Sequence, residues 1–130
     1  MASNLTVDTL TKGATTLNTD ELVDVNNTRV AKAWVNFNGT GTVAIRDSYN
    51  VSSIVDNSTG NYTVNFTTAM ADANYSTTAS TGRNATGTGA YLVSSSDTVA
   101  QTASAATCVT YNLAGTGLDA AFISCTVFSN

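Results

Sequence analysis

The sequence predicts an all-β protein, specifically an antiparallel β-sandwich of short strands. Turn signals rich in Gly, Asn, Asp and Ser recur about every ten residues, and short alternating segments lie between them. The chain contains 24 Thr, 13 Ser and 14 Asn, and β-branched Thr suits a pleated surface. Lys and Glu are scarce and no apolar period of helical spacing is present, so long exposed helices are disfavoured.

Residues 1–28 are expected to form a short N-terminal segment separate from the main domain at residues 29–130, called the head below. The apolar residues of the N-terminal segment occur in short pieces such as Leu5-Thr6-Val7 and Leu22-Val23, too dispersed to bury one another in a monomer. Such a segment needs a neighbouring domain or other copies of itself as a partner. The alternative is a frayed tail with one edge strand.

The first half of the head contains the clearest strand patterns. Residues Arg29–Phe37 alternate as a strand, and the glycines of Asn38-Gly39-Thr40-Gly41 end it in a tight turn. Val43–Arg46 would form the return strand. The turn signal at Asp56–Asn61 is followed by alternation of Tyr62, Val64 and Phe66 with polar residues. A hairpin from Ile54 through Gly60 to Phe66 is therefore predicted.

The second half is patterned more weakly. Strands are expected at Asn74–Ser80 and Ala90–Val93, with the glycine-rich loop Thr81–Gly89 between them. The last strand, within Ala120–Phe128, has apolar residues on both faces. A strand of this kind is normally central in a sandwich or packed at a subunit interface.

Three sequence strings in the first half of the head resemble a known signature. They are AWVNFNGTG at 33–41, IRDSYNVSSI at 45–54 and DNSTGNYTVNF at 56–66. Together they are similar to the head-domain signature of fibre and appendage proteins of tailed bacteriophages. The opening Met-Ala-Ser-Asn-Leu-Thr-Val-Asp also resembles the start of many short phage fibre proteins, where a stem or docking segment precedes the head. The resemblance therefore implies that residues 1–28 are a stem or docking arm.

The resemblance implies a virion structural protein, assembled in the host cytoplasm. It would be a short homotrimeric fibre on the tail or head, with its N-terminal arm bound to other virion proteins. Its head, a jelly-roll-like or related sandwich, would be exposed for attachment to a host cell-surface glycan or protein. The alternative is an architectural part without a receptor, such as a capsid decoration or cement protein or a collar protein.

Enzymatic chemistry is poorly supported by the residue types. The chain has no His, and Glu21 is its only Glu, so hydrolase triads are excluded and a glycosidase pair is disfavoured. The remaining downstream carboxylates stand in turn contexts, where Asp is favoured for local backbone hydrogen bonds: Asp47, Asp56, Asp72, Asp97 and Asp119. The protein is therefore expected not to be an enzyme and to need no cofactor.

Charge and cysteine content limit the partners further. The formal net charge is −4, and the 5 Lys and Arg residues are scattered, which argues against a nucleic-acid surface. The N-terminus lacks the basic and apolar regions of a signal peptide, and no run reaches the ~18 apolar residues of a membrane span. Cys108 and Cys125 are expected to be free and buried, with a disulfide as the less favoured alternative, and they are too few for a metal site.

Two single residues allow both a structural and a ligand interpretation. Trp34 could stack on a sugar, but a lone Trp early in a sandwich is more often a core residue. Arg46 could contact a ligand, but we expect it to be structural, in an inter-strand or inter-subunit pair with Asp47 or Asp72.

Ligand contacts, if any, are expected on loops, because loops vary freely on a rigid sandwich. The candidate loops are Thr81–Gly89 and Ala114–Gly117; ordinary solvent loops are the alternative. The candidate ligand-binding residues are those at the loop tips and the tyrosines near the first loop in sequence: Arg83, Asn84, Tyr75, Tyr91 and Thr116.

Overall fold

The computed structural model describes residues 9–12, 15–18, 30–82, 92–94 and 100–129, and gives only the backbone for 9–12, 15–18 and 92–94. The chain divides into two compact units, Met1–Val30 with Asn130, and Ala31–Ser129. The strands are β1 (Thr9–Lys12), β2 (Thr15–Asn18), β3 (Ala33–Asn38), β4 (Ala44–Tyr49), β5 (Val51–Ser58), β6 (Asn61–Phe66), β7 (Ser76–Thr81), β8 (Leu92–Ser94), β9 (Ala105–Tyr111) and β10 (Ile123–Phe128). Across these described ranges, no helix has the length and apolar character needed to cross a membrane.

The described residues of the first unit form an antiparallel strand pair. Strands β1 and β2 pair with Thr9 opposite Asn18 and Lys12 opposite Thr15. The assignment of residues 1–28 as a stem or docking arm stays a prediction.

In the second unit, the head, the described residues form two four-stranded antiparallel sheets. Sheet 1 has the order β4-β3-β10-β7, and sheet 2 has the order β5-β6-β9-β8. The predicted all-β class is confirmed, and the two sheets pack as a β-sandwich. β10 lies between β3 and β7, so the last strand is central in its sheet, which is one of the two positions predicted for it. Its burial is one-sided, however, because Ser124, Thr126 and Phe128 occupy the outer face and only the inner face is enclosed.

The core lies between the sheets and is built by alternation along the inner strands. On β3, the side chains of Ala33, Val35 and Phe37 are almost completely buried. On β6, Tyr62 and Val64 are buried opposite them, and the Phe37 and Tyr62 rings meet edge to face with centroids 5.1 Å apart. Strands β9 and β10 complete this core with smaller residues: Ala106, Cys108, Ile123, Cys125 and Val127.

Trp34 does not belong to this core. Its neighbours Ala33 and Val35 point inward, so the strand alternation places Trp34 on the outer face of sheet 1, where it is only partly buried. It stands opposite Tyr49 on β4 and Thr126 on β10. The prediction that Trp34 is a core residue is therefore wrong. The inner positions of β3 are already filled by smaller residues that fit between the sheets.

The predicted hairpin between β5 and β6 is confirmed, with a shorter turn than the sequence indicated. The strands extend to Ser58 and from Asn61, which leaves Thr59 and Gly60 as the turn. Gly60 has φ +71°, and an added Cβ would lie 2.6 Å from the Leu118 nitrogen and even closer to the Thr110 carbonyl oxygen. Glycine is thus required both by the backbone conformation and by the space.

Asn50 forms the corner at which the chain passes from sheet 1 to sheet 2. It has φ 55°, a left-handed conformation that Asn tolerates. Its amide nitrogen donates to the carbonyl oxygens of Lys32 (2.9 Å) and Thr68 (3.0 Å), and its side-chain oxygen accepts from the Thr68 nitrogen at 2.7 Å. The sequence predicted a return strand only as far as Arg46, but β4 continues to Tyr49.

The strand directions give the head two unlike ends. The chain passes into β3 and out of β10 at one end, because Ala33 pairs with Val127. The opposite end, called the distal end below, carries the turns at 39–43 and 59–60, residue Gly82 after β7, and the connection 112–122. Both candidate loops therefore begin at the distal end.

Candidate functional site

The outer face of sheet 1 carries two aromatic side chains side by side. The register aligns one residue from each strand in a row, namely Tyr49, Trp34, Thr126 and Thr78. Directly opposite residues in an antiparallel pair share a face, with Cβ atoms about 5 Å apart. Tyr49 is 58% exposed, although it is one of the larger apolar side chains of the head. We call this surface, with the polar row described next, the Trp34 face.

The row on the distal side of the Trp34 row is polar, whereas the row on its other side contains Phe128, 38% exposed, opposite Ser76. The polar row contains Asp47, Asn36, Ser124 and Ser80, one from each strand. The Asn36 amide nitrogen donates a hydrogen bond of 2.8 Å to the Ser124 hydroxyl oxygen. Rows are two residues apart, about 7 Å, and four strands are about 14 Å wide. The face is therefore broad enough to contact an extended ligand.

Arg46 borders this face and is held by protein contacts. The β3–β4 register shifts between Asn36 and Phe37, so Arg46 is an extra residue in a β-bulge. Its guanidinium donates to the Ala121 carbonyl oxygen at 2.5 Å and lies over the Phe122 ring, 4.3 Å from the centroid. A longer contact of 3.4 Å reaches the Asn36 amide oxygen.

The inter-strand ion pair expected for Arg46 is not formed, whereas an inter-subunit pair stays a prediction. Among the described residues, its partners are Ala121, Phe122 and Asn36, and neither Asp47 nor Asp72 is a partner. The physical reason is the bulge, which turns Arg46 toward the distal end of β10. The structural interpretation of Arg46 agrees with these contacts, since its guanidinium is already engaged by the protein.

The candidate ligand-binding residues are not brought together within the described part of the chain. Arg83, Asn84 and Tyr91 lie outside the described residues. Tyr75 is buried, its ring meets Phe66 edge to face, and its hydroxyl donates to the Ala105 carbonyl oxygen at 2.6 Å. Burial raises the pKa of Tyr75 to about 12. These are the contacts of a core residue.

Thr116 is exposed at the distal end, in a loop organised by Asn112. The Asn112 side-chain oxygen accepts hydrogen bonds from the Thr116 nitrogen at 2.9 Å and from the Ala114 nitrogen at 3.0 Å. The Asn112 nitrogen also donates to the Thr116 carbonyl oxygen. The loop is therefore a compact Asx-type turn, and a ligand contact by Thr116 stays a prediction.

One carboxylate has a different role from the one expected. Asp72 accepts a local hydrogen bond from the Asn74 nitrogen, as the turn interpretation predicted. Asp119 instead accepts long-range hydrogen bonds, from the Gly60 nitrogen and the Tyr62 hydroxyl, both at 2.7 Å. It joins the β9–β10 connection to the β5–β6 turn. Burial and this hydrogen bond raise the pKa of Tyr62 well above its ordinary value.

The two cysteines are free and buried, as predicted. Burial raises the pKa of Cys125 to about 11, and raises that of Cys108 further. Thiols in this state are poor nucleophiles and poor metal ligands. No group of three or more metal-ligating side chains occurs among the residues that the structure describes.

The arrangement offers binding surfaces more readily than catalysis. The described carboxylates accept hydrogen bonds within turns, join two connections or lie on exposed strand faces. The thiols are buried in the core. Comparison of the chain with protein-family models, with curated proteins and with solved structures found no match. A function can therefore be inferred only from the residues themselves and from the resemblance to the head-domain signature of phage fibre proteins.

Proposed function

We propose that this chain is a structural protein of a tailed-bacteriophage virion, a short trimeric fibre whose head attaches the particle to the host surface. Residues 1–28 act as the stem or docking arm, and the head is a jelly-roll-like or related sandwich. The protein is not an enzyme, and it binds neither nucleic acid nor membrane. Its partners are itself, other virion proteins and a host surface molecule.

The observation that carries this proposal is the structural coherence of the resembling segment. The three strings lie within residues 33–66, and that segment forms β3, β4, β5 and β6 in succession. It supplies two strands of each sheet and the corner between the sheets. The resemblance thus covers half of the strands of the sandwich as one continuous framework, rather than a few turn residues that could recur by chance.

The character of the exposed surface also supports attachment over catalysis. The head presents hydroxyl, amide and aromatic side chains on a rigid double sheet, with a formal net charge of only −4 for the whole chain. Rigid β-sheets with exposed variable loops are a common means of presenting binding residues.

The test is the position and copy number of the chain in the particle, determined by cryo-electron microscopy. We expect a small number of trimers at the tail or at a head appendage. A chain that coats the capsid lattice in many copies would exclude the fibre. It would establish the alternative, an architectural decoration or cement protein without a receptor.

A functional test complements the map. Purified chain added in excess is expected to compete with phage adsorption to the host, while a heat-unfolded sample does not. Incubation with host polysaccharide is expected to leave the polymer length unchanged. Release of shortened glycans would identify a depolymerase and contradict the non-enzymatic proposal.

A further inference from the structure

The two described sheets of the head end in four edge strands, β4, β5, β7 and β8. An edge strand exposes backbone donors and acceptors, and proteins block such edges with bulges, charged residues, proline or very short strands. Three of these edges carry such a device. β4 has a bulge and the charges of Arg46 and Asp47, β5 has two register shifts and Asp56, and β8 spans only three residues.

The remaining edge strand, β7, has none of these devices. It pairs with β10 in unbroken register from Ser76 to Thr81. Its sequence, STTAST, contains neither a charged residue nor a proline. Among the described residues, no strand pairs with the outer edge of β7. This edge is therefore the one best suited to accept a further strand.

The ladder with β10 determines which backbone groups of β7 point outward. The Gly82 nitrogen donates to the Phe122 carbonyl oxygen at 2.8 Å, and this pair continues the β7–β10 register. Residues that bond to a given neighbouring strand alternate along an antiparallel ladder. The even-numbered residues of β7 therefore bond to β10, whereas Thr77 and Ala79 direct their N–H and C=O groups away from it.

Two further observations agree with this orientation. Val127 stands opposite Thr77, and its carbonyl oxygen accepts from the Lys32 nitrogen on the β3 side of β10. The side chains of Thr77 and Ala79 alternate with exposed residues and are only half-buried, so the core is incompletely covered at this margin. A further strand would satisfy the outward backbone groups and cover the margin.

The sequence of β7 is complementary to itself. An antiparallel pair of β7 strands centred on Thr78 places Thr78 opposite Thr78 of the second copy. Thr77 then stands opposite Ala79, and their outward N–H and C=O groups bond to each other on both sides of the centre. Ser76 stands opposite Ser80, so every pair on the outer face joins two hydroxyl side chains, a favourable cross-strand combination. No like charges meet, because the strand has none.

We propose that β7 pairs edge to edge with β7 of a second copy of this chain, about a two-fold axis at Thr78. Sheet 1 of each head then continues into sheet 1 of the other. The inference goes beyond the proposed function, because a two-fold contact closes with two copies and joins two fibres rather than building the trimer. One strand pair buries little surface, so the contact is weak in dilute solution.

Disulfide capture in the purified full-length chain tests the register. Thr78→Cys places two thiols in a non-hydrogen-bonded pair with Cα atoms about 4.5 Å apart, within the range that a disulfide spans. With glutathione disulfide as the oxidant, we expect covalent dimers on a non-reducing denaturing gel. Ser58→Cys is the matched control, because Ser58 is exposed on the irregular edge strand β5, and it is expected to give few dimers. Equal cross-linking of the two variants would contradict the proposed pairing.

Charge at position 78 tests the association without a covalent bond. Thr78→Lys and Thr78→Glu each bring like charges face to face, and we expect both to abolish the concentration-dependent association seen by sedimentation equilibrium. A mixture of the two variants is expected to restore it, because opposite charges then meet. Ser58→Lys should associate as the unchanged chain does. Position 78 is exposed, so the fold is retained, which circular dichroism checks.

The outcomes separate this inference from the proposed function. Absence of Thr78→Cys dimers at the highest soluble concentration, or absence of rescue in the mixture, overturns the pairing and leaves the fibre standing. A purified chain that does not associate, together with loss of Thr78→Lys from assembled particles, would assign the edge to a strand of another virion protein and also overturn it. The position and copy number of the chain in the particle decide the fibre independently.

Discussion

The two faces of β3 differ in what determines their residues. The inner face carries Ala33, Val35 and Phe37, all enclosed between the sheets, whereas the outer face carries Trp34 and Asn36 in contact with solvent. The largest side chain of the strand is thus on the more exposed face. Residue size alone does not decide burial, because the inner positions must match the fixed space between two sheets.

Truncation is expected to destabilise the protein much more on the inner face of β3 than on the outer face. Phe37→Ala is expected to lower the free energy of unfolding by about 3–5 kcal/mol, because it leaves a cavity beside Tyr62. Trp34→Ala is expected to cost about 1–2 kcal/mol, since only part of the side chain is buried. Urea unfolding monitored by far-ultraviolet circular dichroism measures both. Equal losses would contradict the assignment of the faces.

A second comparison concerns two glycines with the same backbone conformation. Gly60→Ala is expected to cost about 3 kcal/mol, because φ is +71° and the added Cβ would collide with the Thr110 and Leu118 backbones. Gly41→Ala, with φ +64° and open space around it, is expected to cost about 1 kcal/mol. Thermal unfolding measures the loss of stability in each variant. The difference between the two losses is the contribution of the steric collision at Gly60. A larger loss in Gly41→Ala would refute the packing described at the β5–β6 turn.

The buried thiols make the inner face sensitive to alkaline pH. Their pKa values are raised from the ordinary 9.0, so the folded state keeps protons that the unfolded chain releases. The stability contribution is fully present below about pH 9 and is lost above it, by about 1.4 kcal/mol per pH unit for each thiol. Urea unfolding under reducing conditions from pH 7 to about 10 should show this decline.

The control for the alkaline effect is the double variant Cys108→Ala with Cys125→Ala. It is expected to be less stable at neutral pH and to lose less stability between about pH 9 and 10. A slope equal to that of the unchanged chain would show that other groups, such as tyrosines, cause the decline.

The smallest effect is expected at the border of the Trp34 face. Arg46→Ala is predicted to lower the free energy of unfolding by about 1 kcal/mol, because it removes the contact with Phe122 and the hydrogen bond to Ala121. Arg46→Lys keeps the charge but loses the planar fork, so it should recover only part of this loss. Unchanged stability together with lost cell attachment would instead indicate a ligand contact.

The sequence was sufficient where side-chain alternation and turn chemistry act locally. The strand at Tyr62–Phe66 alternates cleanly because its polar residues face solvent, and Gly60 marks the turn before it. The strand β9 was hard to recognise, since its small residues Ala106, Thr107 and Cys108 are buried on both faces of the sheet and show no period. A strand is recognised in a sequence by the contrast between an apolar and a polar face, and β9 shows little of this contrast.

The features that were missed depend on distant parts of the chain. The sequence predicted Trp34 to be a core residue. Alternation shows that Trp34 and Val35 lie on opposite faces of β3, but the opposing sheet determines which of the two faces is buried. Arg46 was assigned an acidic partner because a one-residue bulge leaves no mark in the sequence. Asp119 follows a glycine-rich loop like a turn residue, yet its partners are nearly 60 positions away. Hydrogen bonds of this range follow from topology and not from neighbouring residues.

The pairing of Ala33 with Val127 has a practical consequence for handling the head. Because the first and last strands of the head are neighbours, anything fused before β3 or after β10 leaves from the same side of the sandwich. The opposite side then stays clear of tags and immobilisation chemistry. A head tethered through either terminus should therefore display the 59–60 turn and the 112–122 connection outward, accessible to a soluble ligand.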